Sequence, residues 1–134
     1  MIVVRPLMQI MDDKADQTSL ASIGVEAVQL LGSGDFLALA DRFGYAVALG
    51  REPATAIQED FWSCLAQLGS MGLALGSQCP VATVTYFEPG DSGLLAVVEC
   101  LAPTDNGAEL LVELVVTANG PDKHVSLEQL SVAA

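Results

Sequence analysis

Val81-Ala82-Thr83-Val84-Thr85-Tyr86-Phe87-Glu88 opens the stretch that decides the fold. Three more runs follow it: 94–102 (LLAVVECLA), 109–118 (ELLVELVVTA) and 123–132 (KHVSLEQLSV). They are rich in Val, Leu and Thr, and read in twos they resolve into two faces, as strands do. Between them lie Pro89-Gly90-Asp91-Ser92-Gly93, Pro103-Thr104-Asp105-Asn106-Gly107 and Asn119-Gly120-Pro121-Asp122. Gly and Asn tolerate positive φ, and Pro cannot donate to a ladder, so these clusters end strands and reverse the chain. The spacing predicts a four-stranded antiparallel meander, with everything upstream covering one of its faces.

Turn centres set the register. A first hairpin centred on Asp91 places Thr83 opposite Glu99 and Thr85 opposite Val97. A second centred on Asn106 places Glu99 opposite Glu113 and Val97 opposite Val115. A third centred between Gly120 and Pro121 places Glu113 opposite Glu128. Side chains alternate between faces. One face then holds Val84, Val98, Leu114 and Leu127, flanked by Ala82, Cys100 and Val112 and by Tyr86, Ala96, Val116 and Val125. It is apolar and is expected to pack on helices. The opposite face holds the row Thr83, Glu99, Glu113, Glu128. Thr85, Val97, Val115 and Ser126 lie beside that row, with Phe87, Leu95, Thr117 and His124 beyond. Leu101, Leu111 and Leu130 are expected on the same side.

Like charges opposite each other on a sheet are unfavourable, and contiguous exposed apolar surface marks an interaction site. Glu99, Glu113 and Glu128, with Val97, Leu101, Leu111 and Val115, are therefore the expected partner-binding residues. Acidic turn residues Asp91, Asp105 and Asp122 would add rim contacts. Three states of this face remain open: a basic partner, a homodimer, or no occupant.

Upstream, Leu20, Ile23, Ala27, Leu30 and Leu31 fall at helical spacing, predicting a helix over 18–31. Thr18 or Ser19 can cap it, and Gly32-Ser33-Gly34 ends it. Asp35 caps a second helix over 36–42. Gly44–Gly50 (GYAVALG) is open between an extension of the second helix and a short strand, and the strand is favoured because Gly44 and Gly50 bound the run and Tyr and Val prefer strands. Pro53 then opens a third helix, with Ile57, Phe61, Cys64, Leu65 and Leu68 as its buried stripe. Gly69, Gly72 and Gly76 break it and form a loose connection to Cys79-Pro80. Residues 1–17 read as an N-terminal tail or short strand, and 18–134 as a single α+β domain.

Gly34-Asp35-Phe36-Leu37-Ala38-Leu39-Ala40-Asp41-Arg42-Phe43 resembles the second helix of the nuclear-transport-factor-two-like superfamily, a group of cystatin-like α+β cones. The resemblance covers the order of elements over 18–132. It implies helices packed on one face of a curved antiparallel sheet of four to five strands. That superfamily includes isomerases, cyclases, import factors and immunity proteins that neutralise bacterial toxins, so the fold implied does not choose a function.

Composition narrows the choice. Five basic residues stand against seventeen acidic ones, a net charge of −12. Nucleic acid and anionic membrane surfaces repel such a chain, whereas a cationic protein is attracted. Acidity would also serve simply to keep a chain with 51% hydrophobic residues in solution. No apolar run reaches the roughly 18 residues that span a bilayer, and residues 1–14 lack a signal-peptide pattern. Cys64, Cys79 and Cys100 are odd in number and show no C-x-x-C spacing. With His124 the only histidine, no conventional zinc set assembles. Free thiols point to a reducing cytoplasm. There is no phosphate-binding Gly motif and no Ser/His or Cys/His pairing, so no catalytic residue, metal or cofactor is assigned.

Two functional expectations follow. The first is a bacterial cytoplasmic immunity protein that binds a cationic toxin, a nuclease by preference, because nucleases carry basic clefts for phosphate. The alternative is a small-molecule-binding or isomerase/cyclase-like cone protein with a cavity near Tyr45, Trp62 and Tyr86.

Overall fold

The computed structural model describes residues 8–10, 16–76, 79–88, 93–119 and 122–133. In chain order the elements are β1 (Met8–Ile10), α1 (Gln17–Gly32), α2 (Phe36–Phe43), α3 (Pro53–Leu68), β2 (Val81–Tyr86), β3 (Leu94–Pro103), β4 (Glu109–Asn119) and β5 (Asp122–Val132). The fold is α+β. The five strands form one curved, open antiparallel sheet in the order β1-β5-β4-β3-β2.

Local chemistry explains the helix ends. The Asp16 carboxylate accepts from the Ser19 N–H at 3.0 Å, so Asp16 caps α1 rather than Thr18 or Ser19. Asp35 accepts from the Ala38 N–H and caps α2 as expected. Glu52 accepts from the Ala54 and Thr55 N–H groups, Pro53 occupies the first turn of α3, and Gly69 at φ +68 closes it.

All three helices lie on one face of the sheet. Leu20, Ala27, Val28 and Leu31 of α1, Leu39 and Phe43 of α2, and Ile57 of α3 are fully buried against Val98, Leu114, Val116 and Leu127 of the strands. Each such Leu, Ile or Val contributes roughly 1.5–3 kcal/mol through burial. α1 approaches closest at Gly24, where an added Cβ would come within 2.5 Å of the Cys100 Sγ. A residue with no side chain is thus what lets this helix lie down on β3.

The expected strand at Gly44–Gly50 is not formed. Gly44, Leu49 and Gly50 all have positive φ, which no strand accommodates. The segment is a turn that donates one hydrogen bond from Ala46 N–H to the Leu127 carbonyl on β5. The Gly-rich connection after α3 is also not loose. Ala74 N–H bonds the Pro103 carbonyl, and Leu73 bridges Thr104. From the β3–β4 turn, the Asn106 side-chain amide donates to the Leu68 and Gly69 carbonyls at 2.9 and 3.1 Å, tying that turn to the end of α3.

The meander follows the register set by its turns, with two interruptions. Thr83 faces Glu99, Thr85 faces Val97, Glu99 faces Glu113 and Val97 faces Val115. A bulge at Leu95 leaves Leu94 opposite Thr117 and lets Leu95 pack towards the core, where the expectation had it outward. A second bulge lies at Glu128. Leu114 still faces Leu127, but Glu113 faces Gln129. Alternation resets there, so Leu130 is buried on the helix side opposite Val112 and not on the outer face.

Candidate binding face

Among the described residues no helix covers the outer face of the sheet. Its centre is built by three strands. β3 supplies Val97, Glu99 and Leu101, β4 supplies Leu111, Glu113 and Val115, and β5 supplies Ser126, Glu128 and Gln129. Every one of these but Gln129 is half-buried; Gln129 is exposed. Six of the seven residues expected on this face thus lie together in one register block, and Glu128 joins them from the bulge.

The glutamates are electrostatically unbalanced. No Lys or Arg among the described residues pairs with any of the three. Arg42 is bound to Glu26, and Arg51 is bound to Asp60 and Glu59. Burial holds the Glu113 carboxyl above its ordinary pKa, and Glu99 and Glu128 push it further in the same direction. A hydrogen bond from the Gln129 side chain opposes them. Among the described residues the carboxylates are not gathered as a metal-ligand cluster.

Beside Glu99 lies a half-open groove of about 340 Å³ lined by Thr83, Glu99, Leu101, Leu111, Val132 and Ala133. An aliphatic floor with a carboxylate at its side suits a Lys or Arg side chain, whose methylenes pack while its charge stays at the acid. Gln129 and the groove's C-terminal wall were not foreseen. Neither bulge carries a Gly or Pro that would mark it.

Other expected residues fall elsewhere. Asp105 is exposed in the β3–β4 turn, with its carboxylate already engaged within the chain. Its carboxylate accepts from the Ser70 hydroxyl at 2.6 Å and from the Met71 N–H, at the α3 end of the fold. Asp91 lies outside the described residues, and Asp122 is exposed at the start of β5.

Tyr45, Trp62 and Tyr86 line neither cavity described; the larger, about 490 Å³, runs along α1 past Thr18, Ser22 and Val25. Tyr45 is buried and donates to Asp60 Oδ2 at 2.6 Å, while Trp62 and Tyr86 are 57% and 47% exposed on separate elements. Burial first, and then the hydrogen bond to Asp60, push the Tyr45 hydroxyl well above its usual pKa. That phenol is locked in a structural network: Arg51 also bonds both Asp60 oxygens and the Val47 and Ala48 carbonyls. Among the described residues no helix is long and apolar enough to cross a membrane.

Comparison with protein-family models, with curated proteins and with solved structures finds no match to this chain.

Proposed function

We propose that this chain is a binding protein that docks a cationic protein on the outer face of its sheet, and that it serves as an immunity-type inhibitor. The partner class that fits best is a toxin with a basic cleft, as a nuclease has. One observation carries this: Glu113 is flanked by Glu99 and Glu128 with no Lys or Arg among the described residues paired to them, and it resists ionisation in the free protein. An arriving Lys or Arg removes that resistance, so binding is favoured by the relief of repulsion as well as by the new contact. Val97, Val115, Leu101 and Leu111 surround the acids with apolar area that desolvates the pair. The net charge of −12 steers a basic partner from a distance. The resemblance to cone-shaped immunity proteins belongs to the same proposal, supported by helices on one face of an open antiparallel sheet.

Co-expression with the product of the adjacent gene, followed by co-purification and a growth-protection assay, tests it. Glu113→Lys is expected to weaken binding on the order of 100-fold, as reversal of a desolvated charge does. Protection and binding that survive this change remove the acid row from any role in docking.

A further inference from the structure

The chain has two asparagines, Asn106 and Asn119, and a glycine follows each. Gly120 lies outside the described residues, whereas Asn106, Gly107 and the partners of the Asn106 side chain all lie within them. An Asn-Gly pair is open to a reaction of the chain with itself. The glycine nitrogen can attack the side-chain amide carbon, and no Cβ stands in the way of that close approach. Asn106 and Gly107 are both exposed in the β3–β4 turn. A Cβ built on Gly107, at φ +88, would meet no atom within 4 Å, so water reaches this peptide.

In the folded turn both reacting groups are occupied. Asn106 Nδ2 donates to the Leu68 and Gly69 carbonyls at 2.9 and 3.1 Å. Its Oδ1 accepts from the Thr104 hydroxyl at 2.8 Å and from the Ala108 N–H at 3.2 Å. The Gly107 N–H donates to the Thr104 carbonyl at 3.3 Å, a long bond. Leu68 ends α3 and Gly69 caps it, so this one side chain latches the β3–β4 turn to that helix end. Ring closure needs the side chain to leave those carbonyls and the Gly107 N–H to leave Thr104, which is a local opening of the turn.

We propose that Asn106 is a site of spontaneous deamidation gated by this latch, and that its conversion releases the turn from α3. Hydroxide takes the Gly107 amide proton. The nitrogen then bonds the Asn106 Cγ, the Cγ–Nδ2 bond breaks, and Nδ2 leaves as ammonia with a proton from water. Water opens the cyclic imide that remains. Cleavage between the nitrogen and Cγ gives an aspartate at this position. Cleavage between the nitrogen and the backbone carbonyl carbon gives an isoaspartate, whose chain runs through Cβ. In sum one water is consumed and one ammonia released, with no change of oxidation state. Both products carry a carboxylate, an acceptor only, where the amide had hydrogens to give to the Leu68 and Gly69 carbonyls. The latch does not re-form. Asp105 keeps its bonds to Ser70 and Met71, so the change stays at one joint.

The test holds the chain at mildly alkaline pH, with and without urea, and follows Asn106 by peptide mapping, which resolves it from Asn119. The native chain is expected to yield aspartate and isoaspartate at Asn106, on the order of 10-fold more slowly than in urea, because the hydrogen bonds of the latch must open first. Thr104→Val takes the hydroxyl from Oδ1. With the wild-type circular dichroism retained, it should speed the native conversion several-fold and leave the rate in urea unchanged. Asn106→Asp, made directly, should keep the fold while speeding hydrogen exchange at the Gly69 and Ser70 amides, which bond the Ala66 and Leu65 carbonyls at the end of α3. An Asn106 that keeps its amide in the native chain while the urea sample converts overturns the site. Equal rates with and without urea, or a native rate that Thr104→Val does not change, overturn the gating. Unaltered exchange in Asn106→Asp overturns the release.

Discussion

Glu113 lies opposite Gln129 across the β4–β5 ladder, and the Gln129 amide favours the ionised form of its carboxyl, against burial and the two neighbouring acids. The bulge at Glu128 creates this relationship. It moves the third acid off the directly opposed position and puts an amide donor in its place. The strand keeps three carboxylates near one another while blunting the worst of their repulsion, which like charges directly opposite would suffer in full.

The remaining repulsion is expected to be visible in stability. The folded pKa of Glu113 lies above its unfolded value, so the folded protein holds that proton more tightly. Its stabilising contribution is present at low pH and is lost as pH rises through the folded pKa. Glu113→Gln is expected to raise stability at pH 7 by about 0.5 kcal/mol and to do little well below the ordinary carboxylate value of about 4.3. Thermal melts at both pH values check this. An equal gain at both would assign the effect to packing.

Asp60 is expected to behave oppositely. Its pKa is lowered by the Arg51 hydrogen bonds first and by Tyr45 second, with burial working against them. It therefore contributes stability above the ordinary Asp value of about 3.9, and loses it as pH falls through its folded pKa. Asp60→Ala leaves the buried Tyr45 hydroxyl without its acceptor, at a cost of roughly 1–3 kcal/mol, and removes the carboxylate that Arg51 grips. Urea titrations across pH 2–7 should show the wild type losing more stability on acidification than Asp60→Asn.

The close approach of α1 to β3 makes a steric prediction. Gly24→Ala places a methyl 2.5 Å from the Cys100 Sγ and 3.0 Å from the Val98 Cγ1. Overpacking of this kind costs roughly 1–3 kcal/mol. Cys100→Ala frees that space, so the double variant should be more stable than the sum of the two single effects predicts. Additivity in chemical denaturation would mean that α1 shifts as a body to make room.

The thiols should separate by reactivity. Cys64 and Cys100 are buried, and burial pushes the Cys100 thiol up to about 11, whereas Cys79 is exposed. Only a thiolate attacks a disulfide reagent. One thiol of the three is expected to react quickly in the native protein, and all three after denaturation. Fast native labelling of Cys100 would show that α1 lifts from the sheet.

Turn chemistry made most of the sheet legible in the sequence. Pro and Gly clusters fixed hairpin centres, and the centres at Asp91 and Asn106 gave the pairs Thr83–Glu99 and Glu99–Glu113 directly. What escaped was whatever has no local marker. The bulges at Leu95 and Glu128 carry no special residue, and each moved a leucine to the other face. The Gly44–Gly50 turn has the β-formers Tyr45 and Val47, but positive φ at Gly44, Leu49 and Gly50 overrides their preference. Asp105 is a surface acid, as it reads, but nothing in its neighbourhood of sequence announces Ser70, thirty-five positions away, as its partner.

At one end of the sheet the three-residue β1 holds β5, and Met8 stands opposite Val125, more than a hundred positions along the chain. The β2–β3, β3–β4 and β4–β5 pairings each join neighbours in sequence. The sheet is thus local in its hairpins and remote only at its β1 margin, so the loop-closure cost of completing it is concentrated in one short pairing.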